Sequence, residues 1–185
     1  MAKIGLNNFK YSKLTEAEDG TASYEGVKTL GKAIDCKVSI EKYEAELWAD
    51  DSLAESDNTF KKGTVTLTID EDDDTVFAEL LGHEVGEDGE MVRKDTDVAP
   101  YVGLGRILTK VVNGQHKYKV EFLPKVKFSE PEQEEATKGD SIEFKTPSVE
   151  GTVSKLANGT WSKAKTFTTK EEAITYLDGL MAKTA

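Results

Sequence analysis

The stretch KYKVEFLPKVKF, residues 117–128, alternates along its length. Tyr118, Val120, Phe122, Val126 and Phe128 take the even positions, and Lys117, Lys119, Glu121, Lys125 and Lys127 the odd ones. A period of two is that of a half-buried β-strand. Pro124 interrupts the run. Proline brings no N–H to a ladder and sits at edges or bulges, so a strand continued past it can change neighbours. The stretch therefore reads as one long strand whose four lysines share a face, on a chain of formal net charge −11. That basic face is expected to be solvated or to lie against acidic neighbours.

The same alternation appears on either side. In AIDCKVSIE (33–41), Ile34, Cys36, Val38 and Ile40 share one parity; in YEAELWADD (43–51) the apolar set moves to Ala45, Leu47 and Ala49. A one-residue slip exchanges the faces of a strand, so a bulge or tight turn is expected near 41–43. DDSLAESDNTFKKG (50–63) reads as a polar loop, followed by GTVTLTID (63–70), in which Val65, Leu67 and Ile69 alternate with threonines. Asn113-Gly114 separates YVGLGRILTKVV (101–112) from the opening stretch, a strong hairpin signal, and Asn158-Gly159 marks a second turn.

Two helices are expected. One runs through VFAELLGH (76–83), capped at Asp74 or Thr75, striped by Phe77, Leu80 and Leu81, and closed by Gly82. The other, TTKEEAITYLDGLM (168–181), is capped by Thr168 or Thr169 with Glu171 or Glu172 completing a capping box. Its buried stripe is Ala173, Tyr176, Leu177, Leu180 and Met181. Residues 1–32 read as an extended N-terminal arm with a short strand near 24–30, and 84–100 as a long polar connection. The fold class is mainly β: an antiparallel β-sandwich or barrel-like domain over 33–185, with a short flanking helix and a C-terminal helix.

Chemistry is sparse. With Arg93 and Arg106 as its two arginines and an acidic balance, the chain lacks the clustered cations of a phosphate reader. Cys36 is the single cysteine and fits a small residue packed in a strand better than a nucleophile. His83 and His116 have no ligand-spaced partners and read as exposed histidines. GLG at 103–105 lacks the remaining glycine of a dinucleotide loop. The acidic run 70–74 lacks the EF-hand's glycine and closing glutamate, and acids gather naturally at a helix N-terminus. No catalytic, cofactor or metal residues are assigned. The opening segment MAKIGLNNFK lacks the apolar stretch of an export signal.

Several segments in order resemble a known family: ELWADD (46–51), GTVTLTID, LLGHEV (80–85), APYVGLG (99–105), KVKFSEPEQEEATKGDSIEFKTPSVEGTV (125–153) and the closing GTW…F.T..EA..YL pattern. Together they look like the major tail proteins, or tail tube proteins, of long-tailed phages with non-contractile tails, especially those infecting Gram-positive bacteria. The likeness covers roughly residues 30 to 180 and is most specific over 100–151. It implies a β-sandwich similar to type VI secretion tube proteins. Such subunits form hexameric rings that stack into a tube, with no active site and no cofactor. It implies partners too: further copies of itself, and tail tip, tape measure and tail terminator proteins. DNA would pass through the lumen without specific binding, and the protein would reside in the host cytoplasm before assembly and in the virion tail after it.

An acidic lumen would repel the DNA backbone. Glu44 and Glu46, which alternate with Ala45 and Leu47, are the lumen candidates. The polar segments 1–32, 50–63 and 86–100 are expected to order on contact between rings. Two other classes compete: a monomeric carbohydrate- or receptor-binding β-sandwich carried on the virion, and a small β-rich hydrolase. Trp48 and Trp161 would be exposed in a sugar binder and buried or at an interface in a tube.

Overall fold

A computed structural model describes residues 2–49, 52–70, 73–131 and 148–182. The chain is mainly β and antiparallel, with two helices. Its strands are β1 (Ala2–Glu16), β2 (Ala22–Gly31), β3 (Ala33–Ala49), β4 (Ser52–Ile69), β5 (Glu84–Val85), β6 (Met91–Val92), β7 (Tyr101–Val112), β8 (Gln115–Phe128), β9 (Ser148–Val153) and β10 (Lys163–Phe167). The helices are α1 (Asp74–Leu81) and α2 (Lys170–Met181). Eight strands form one sheet in the order β2-β1-β7-β8-β9-β4-β3, with β10 attached to β8; β5 and β6 make a small separate hairpin.

The opening stretch is β8, and its proline does what a missing N–H allows. From Tyr118 to Phe122, β8 pairs with β10; from Val126 to Phe128 the same edge pairs with β9. Its other edge follows β7 throughout, with a register shift where Val102 faces Val126 and Leu104 faces Leu123. One extra residue therefore sits on β8 around Pro124, which is a β-bulge. The Tyr24 hydroxyl donates to the Pro124 carbonyl at 3.0 Å, holding the bulge from within the fold.

A bulge exchanges the faces of the strand beyond it. Val120 and Phe122 enter one core with Leu14, Tyr24, Ile107, Leu156 and the α2 residues Ala173, Leu177 and Met181. Leu123, Val126 and Phe128 enter another, with Phe9, Tyr11, Leu30, Val65, Leu67, Ile69, Val102 and Leu104. That second core lies between the two halves of the sheet, whose β1 and β3 approach one another, and Phe77, Leu80 and Leu81 of α1 close it. The result is a folded-over, sandwich-like sheet with α2 on its outer face.

The expectation of four lysines on one face is thereby corrected. Lys117 and Lys119 precede the bulge and Lys125 and Lys127 follow it, so the two pairs lie on opposite faces. Lys119, Lys125 and Lys127 are also engaged within the subunit. Lys119 pairs with Glu121; Lys125 Nζ lies 2.5 Å from Glu16 Oε2 and over the Tyr101 ring, and Lys127 caps the same ring. The Glu16 carboxyl also accepts the Ala157 N–H at 2.7 Å. The Lys125 hydrogen bond first, then this backbone bond, hold that carboxyl below its ordinary range.

Three further expectations change. Residues 1–32 are no detached arm: β1 lies inside the sheet between β2 and β7, and Phe9, Tyr11, Leu14, Tyr24 and Leu30 are buried. Their spacing escaped a simple period because bulges interrupt it, with Asn8 (φ 52°) in β1 and Gly26 (φ 66°) in β2 at register shifts. The 50–63 segment is no loop from Ser52 onward but the first part of β4, paired residue by residue with β3. A bulge does sit at 41–42, yet its extra residue, Lys61, is on β4.

The turns and caps follow their chemistry. Asn113 and Gly114, both at positive φ (51° and 77°), make the tight β7–β8 hairpin. Asp73, one residue before the expected cap, accepts the Thr75 and Val76 N–H groups at the start of α1. Gly82 ends that helix in the left-handed region (φ 81°). Thr169 caps α2 by accepting the Glu172 N–H. The GLG of β7 is a packing device. A Cβ on Gly105 would stand 2.4 Å from Leu177 Cδ1, and one on Gly103 would stand 2.7 Å from Tyr24 Cε1 and 2.8 Å from Phe122 Cζ. Gly105 clears the surface on which α2 lies, and Gly103 makes room for the two rings.

This contact predicts a coupling. Leu177→Ala should cost about 2–5 kcal/mol as a core truncation, and Gly105→Ala about 1–3 kcal/mol as an overpacking. Combined, the added methyl occupies space that the leucine vacated, so the double variant should be more stable than additivity gives, by ~0.5–3 kcal/mol. Urea unfolding of the four proteins measures this. Strict additivity would show that α2 does not rest on Gly105.

Candidate functional site

The β3–β4 ribbon outgrows the rest of the sheet. β9 accompanies β4 from Gly63 to Thr68, and past Ile40↔Gly63 the two strands continue, alone among the described residues, from Glu41↔Lys62 to Ala49↔Ser52. At ~3.3 Å per residue this projection is roughly 25–30 Å long. Glu41, Lys42, Tyr43 and Glu44 are all exposed, so successive residues on both faces of the ribbon meet solvent. Tyr43 is 57% exposed, a large value for an aromatic in a strand.

The base of the ribbon is held firmly. The Phe60 ring stacks on Trp161 with centroids 4.8 Å apart and planes 5° from parallel, tying the ribbon to the segment before β10. Lys61 lies over the Tyr43 ring, and Lys61 and Lys62 both approach Glu41 at 3.7 and 3.4 Å. Isolated two-stranded ribbons are marginal in water, and long open edges invite pairing. Among the described residues, the outer edges of β2 and β3 carry no partner strand either. The fold thus presents a projecting ribbon and two open ends of one sheet.

The lumen candidates lie on this ribbon. Glu44 pairs with Asn58 and is exposed; Glu46 pairs with Ser56, and its side chain lies outside the described residues, as does that of Trp48. Trp161 is half-buried, with one ring face covered by Phe60. Asp70 accepts the Lys32 N–H at 2.9 Å and Asp73 caps α1, so these two acids of the 70–74 run have structural partners; residues 71 and 72 lie outside the described ones.

Two polar clusters were not anticipated. Arg106 and Glu121 face one another across β7 and β8, with Arg106 Nη2 2.6 Å from Glu121 Oε2 and Nη1 2.6 Å from Cys36 Sγ. Burial pushes the Glu121 carboxyl up, but hydrogen bonds from Lys119 and Arg106 outweigh it and leave it below its usual range. Burial also pushes the Cys36 thiol up, against the pull of Arg106, so the thiolate is disfavoured there. This pair was readable: counting outward from the Asn113-Gly114 turn places Arg106 opposite Glu121. The other cluster corrects the reading of His83 as an exposed histidine. Its side chain is 5% exposed and lies between two carboxylates contributed by Asp97 and Glu130. Those partners are far away in sequence and carry no motif. His116 is exposed, as expected.

No family model and no curated protein sequence matches this chain.

Proposed function

We propose that this chain is a structural virion protein that assembles with copies of itself into stacked rings, hexameric as the resemblance implies, to form the tail tube of a long-tailed phage. The observation that carries the reading is the projecting β3–β4 ribbon, with Glu41, Lys42, Tyr43 and Glu44 all exposed, together with the edges of β2 and β3 that are open among the described residues. A neighbouring copy offers the strand edges and side chains that would complete it, whereas a monomeric module gains nothing from such a projection. In the assembled tail the partners are other copies, the tail tip, tape measure and tail terminator proteins, with the genome passing through without specific binding. The stacking of Trp161 on Phe60 supports a structural use of that aromatic over a sugar platform.

The reading predicts rings or tubes in negative-stain microscopy of concentrated protein, alone or seeded with purified tail-tip complexes. Tyr43→Asp lies outside both cores, so it should leave the melting temperature within a few degrees of wild type while abolishing assembly. A chain that stays monomeric at all concentrations even when seeded, or a Tyr43→Asp protein that assembles normally, would contradict the reading.

Glu44 and Glu46 are the proposed lumen residues on the same ribbon. Replacing both with lysine reverses two charges per subunit and would turn repulsion of phosphate into attraction within a narrow channel. The expected phenotype is tails of normal length that eject DNA slowly, with recovery as salt screens the contact. Ejection at the wild-type rate at low salt would remove both residues from the lumen, and failure to form tails would place them at a subunit interface.

A further inference from the structure

The cluster around His83 lies just beyond the Tyr101↔Lys127 rung of β7 and β8 and joins the start of the α1–β7 connection to its far end and to the end of β8. His83 follows the Gly82 cap of α1 and opens the connection to β7. Its Nδ1 lies 2.7 Å from Asp97 Oδ2, near the far end of that connection. Its Nε2 lies 2.5 Å from Glu130 Oε1, just past the end of β8. A neutral imidazole has one N–H and one lone pair, and a lone pair 2.5–2.7 Å from a carboxylate oxygen is repelled. Only the imidazolium can donate to both.

The surrounding charges fit this state. Asp97 also accepts the Lys94 N–H at 2.9 Å, Lys94 Nζ lies 2.5 Å from Glu84, and Arg93 Nε lies 3.9 Å from Glu130. The Lys94 backbone bond first, and then the His83 bond, hold the Asp97 carboxyl below its ordinary range, so it remains an anion on the acid side. The connection also packs on α1 through β5 and β6. Its regular structure is the short β5–β6 pair, and Val85, Val92 and Val98 are exposed.

We propose that His83 is a proton-operated clamp that, as the imidazolium, fastens the connection between α1 and β7 to the end of β8. When the proton leaves, one of the two nitrogens becomes a lone pair facing a carboxylate, and the link between Asp97 and Glu130 opens. The sign follows from the donor count. The clamp is complete while both His83 nitrogens carry protons and is lost when rising pH removes one of them. Such a clamp would let a modest change in pH alter how firmly this surface connection is held without touching either core.

Long-range proton–nitrogen correlation on ¹⁵N-labelled full-length protein tests this, with His116 as the exposed reference. The expected result is two protonated ring nitrogens on His83 at the acid end. Amide protection over 84–99 should fall with the same midpoint as the His83 deprotonation, while protection of α2 stays constant. Glu130→Gln, at a side chain 55% exposed, should fold normally and move both midpoints together toward lower pH. A single protonated nitrogen throughout, protection that ignores the His83 titration, or unmoved midpoints in Glu130→Gln would each overturn the clamp.

Discussion

A proline in the middle of a sheet forces a choice, because the ladder loses a donor that nothing else in the strand can supply. In this chain Pro124 sits where β8 exchanges one partner for another, so the lost donor falls at a junction. The exchange has two consequences that shape the rest of the molecule. It brings β10 and α2 to one half of β8 and β9, β4 and β3 to the other. It also turns the strand over, so that Phe122 and Val126, of the same parity in sequence, serve different cores.

Two cores on one strand leave little room between layers, and small residues beside the bulge supply it. Gly103, across from the bulge, admits the rings of Tyr24 and Phe122; Gly151 on β9 admits Phe128 and Val126; Gly105 admits Leu177. The edge-on packing of Tyr24 against Phe122, with centroids 5.3 Å apart, completes the same neighbourhood and leaves the tyrosine hydroxyl free to reach the Pro124 carbonyl. Polar contacts then fasten the periphery. Lys125 and Glu16 tie β8 to β1, and Tyr11 donates to Glu79 to tie β1 to α1. These are partly buried, directional links whose worth lies in fixing relative position.

Features decided by neighbours in sequence were legible beforehand. The Asn113-Gly114 turn, the Gly82 helix end and the Thr169 cap depend on local backbone chemistry, and each appears where its residues lie. Of the α2 stripe, Ala173, Leu177 and Met181 are fully buried as expected, while Tyr176 and Leu180 are only half-buried against the same core. What failed was every inference that carried a period across a bulge. Residues 1–32 lost their pattern at Asn8 and Gly26, and the lysine face was divided at Pro124. The 50–63 segment failed for a different reason: from Ser52 onward it begins a strand that projects as a ribbon, and its polar sequence, lacking apolar alternation, resembled a loop. That same property, invisible as a strand signal, marks the candidate assembly surface. The His83 cluster, drawn from residues 83, 97 and 130, was beyond any local reading.

The functional account rests on the state of that ribbon. A projecting pair of strands whose residues 41–44 all meet solvent has amides held, among the described residues, by one another, and should open readily in the free subunit. Covered by a neighbouring copy, the same amides would be locked into a larger sheet or a dry interface. Residue-resolved hydrogen exchange over 41–62, compared between free subunits and assembled particles, tests this most directly. The account predicts fast exchange in the subunit and protection of this segment rising by orders of magnitude on assembly, with little change in β7, β8 and α2. Full protection of the ribbon already in the monomer, or unchanged fast exchange in assembled particles, would contradict it.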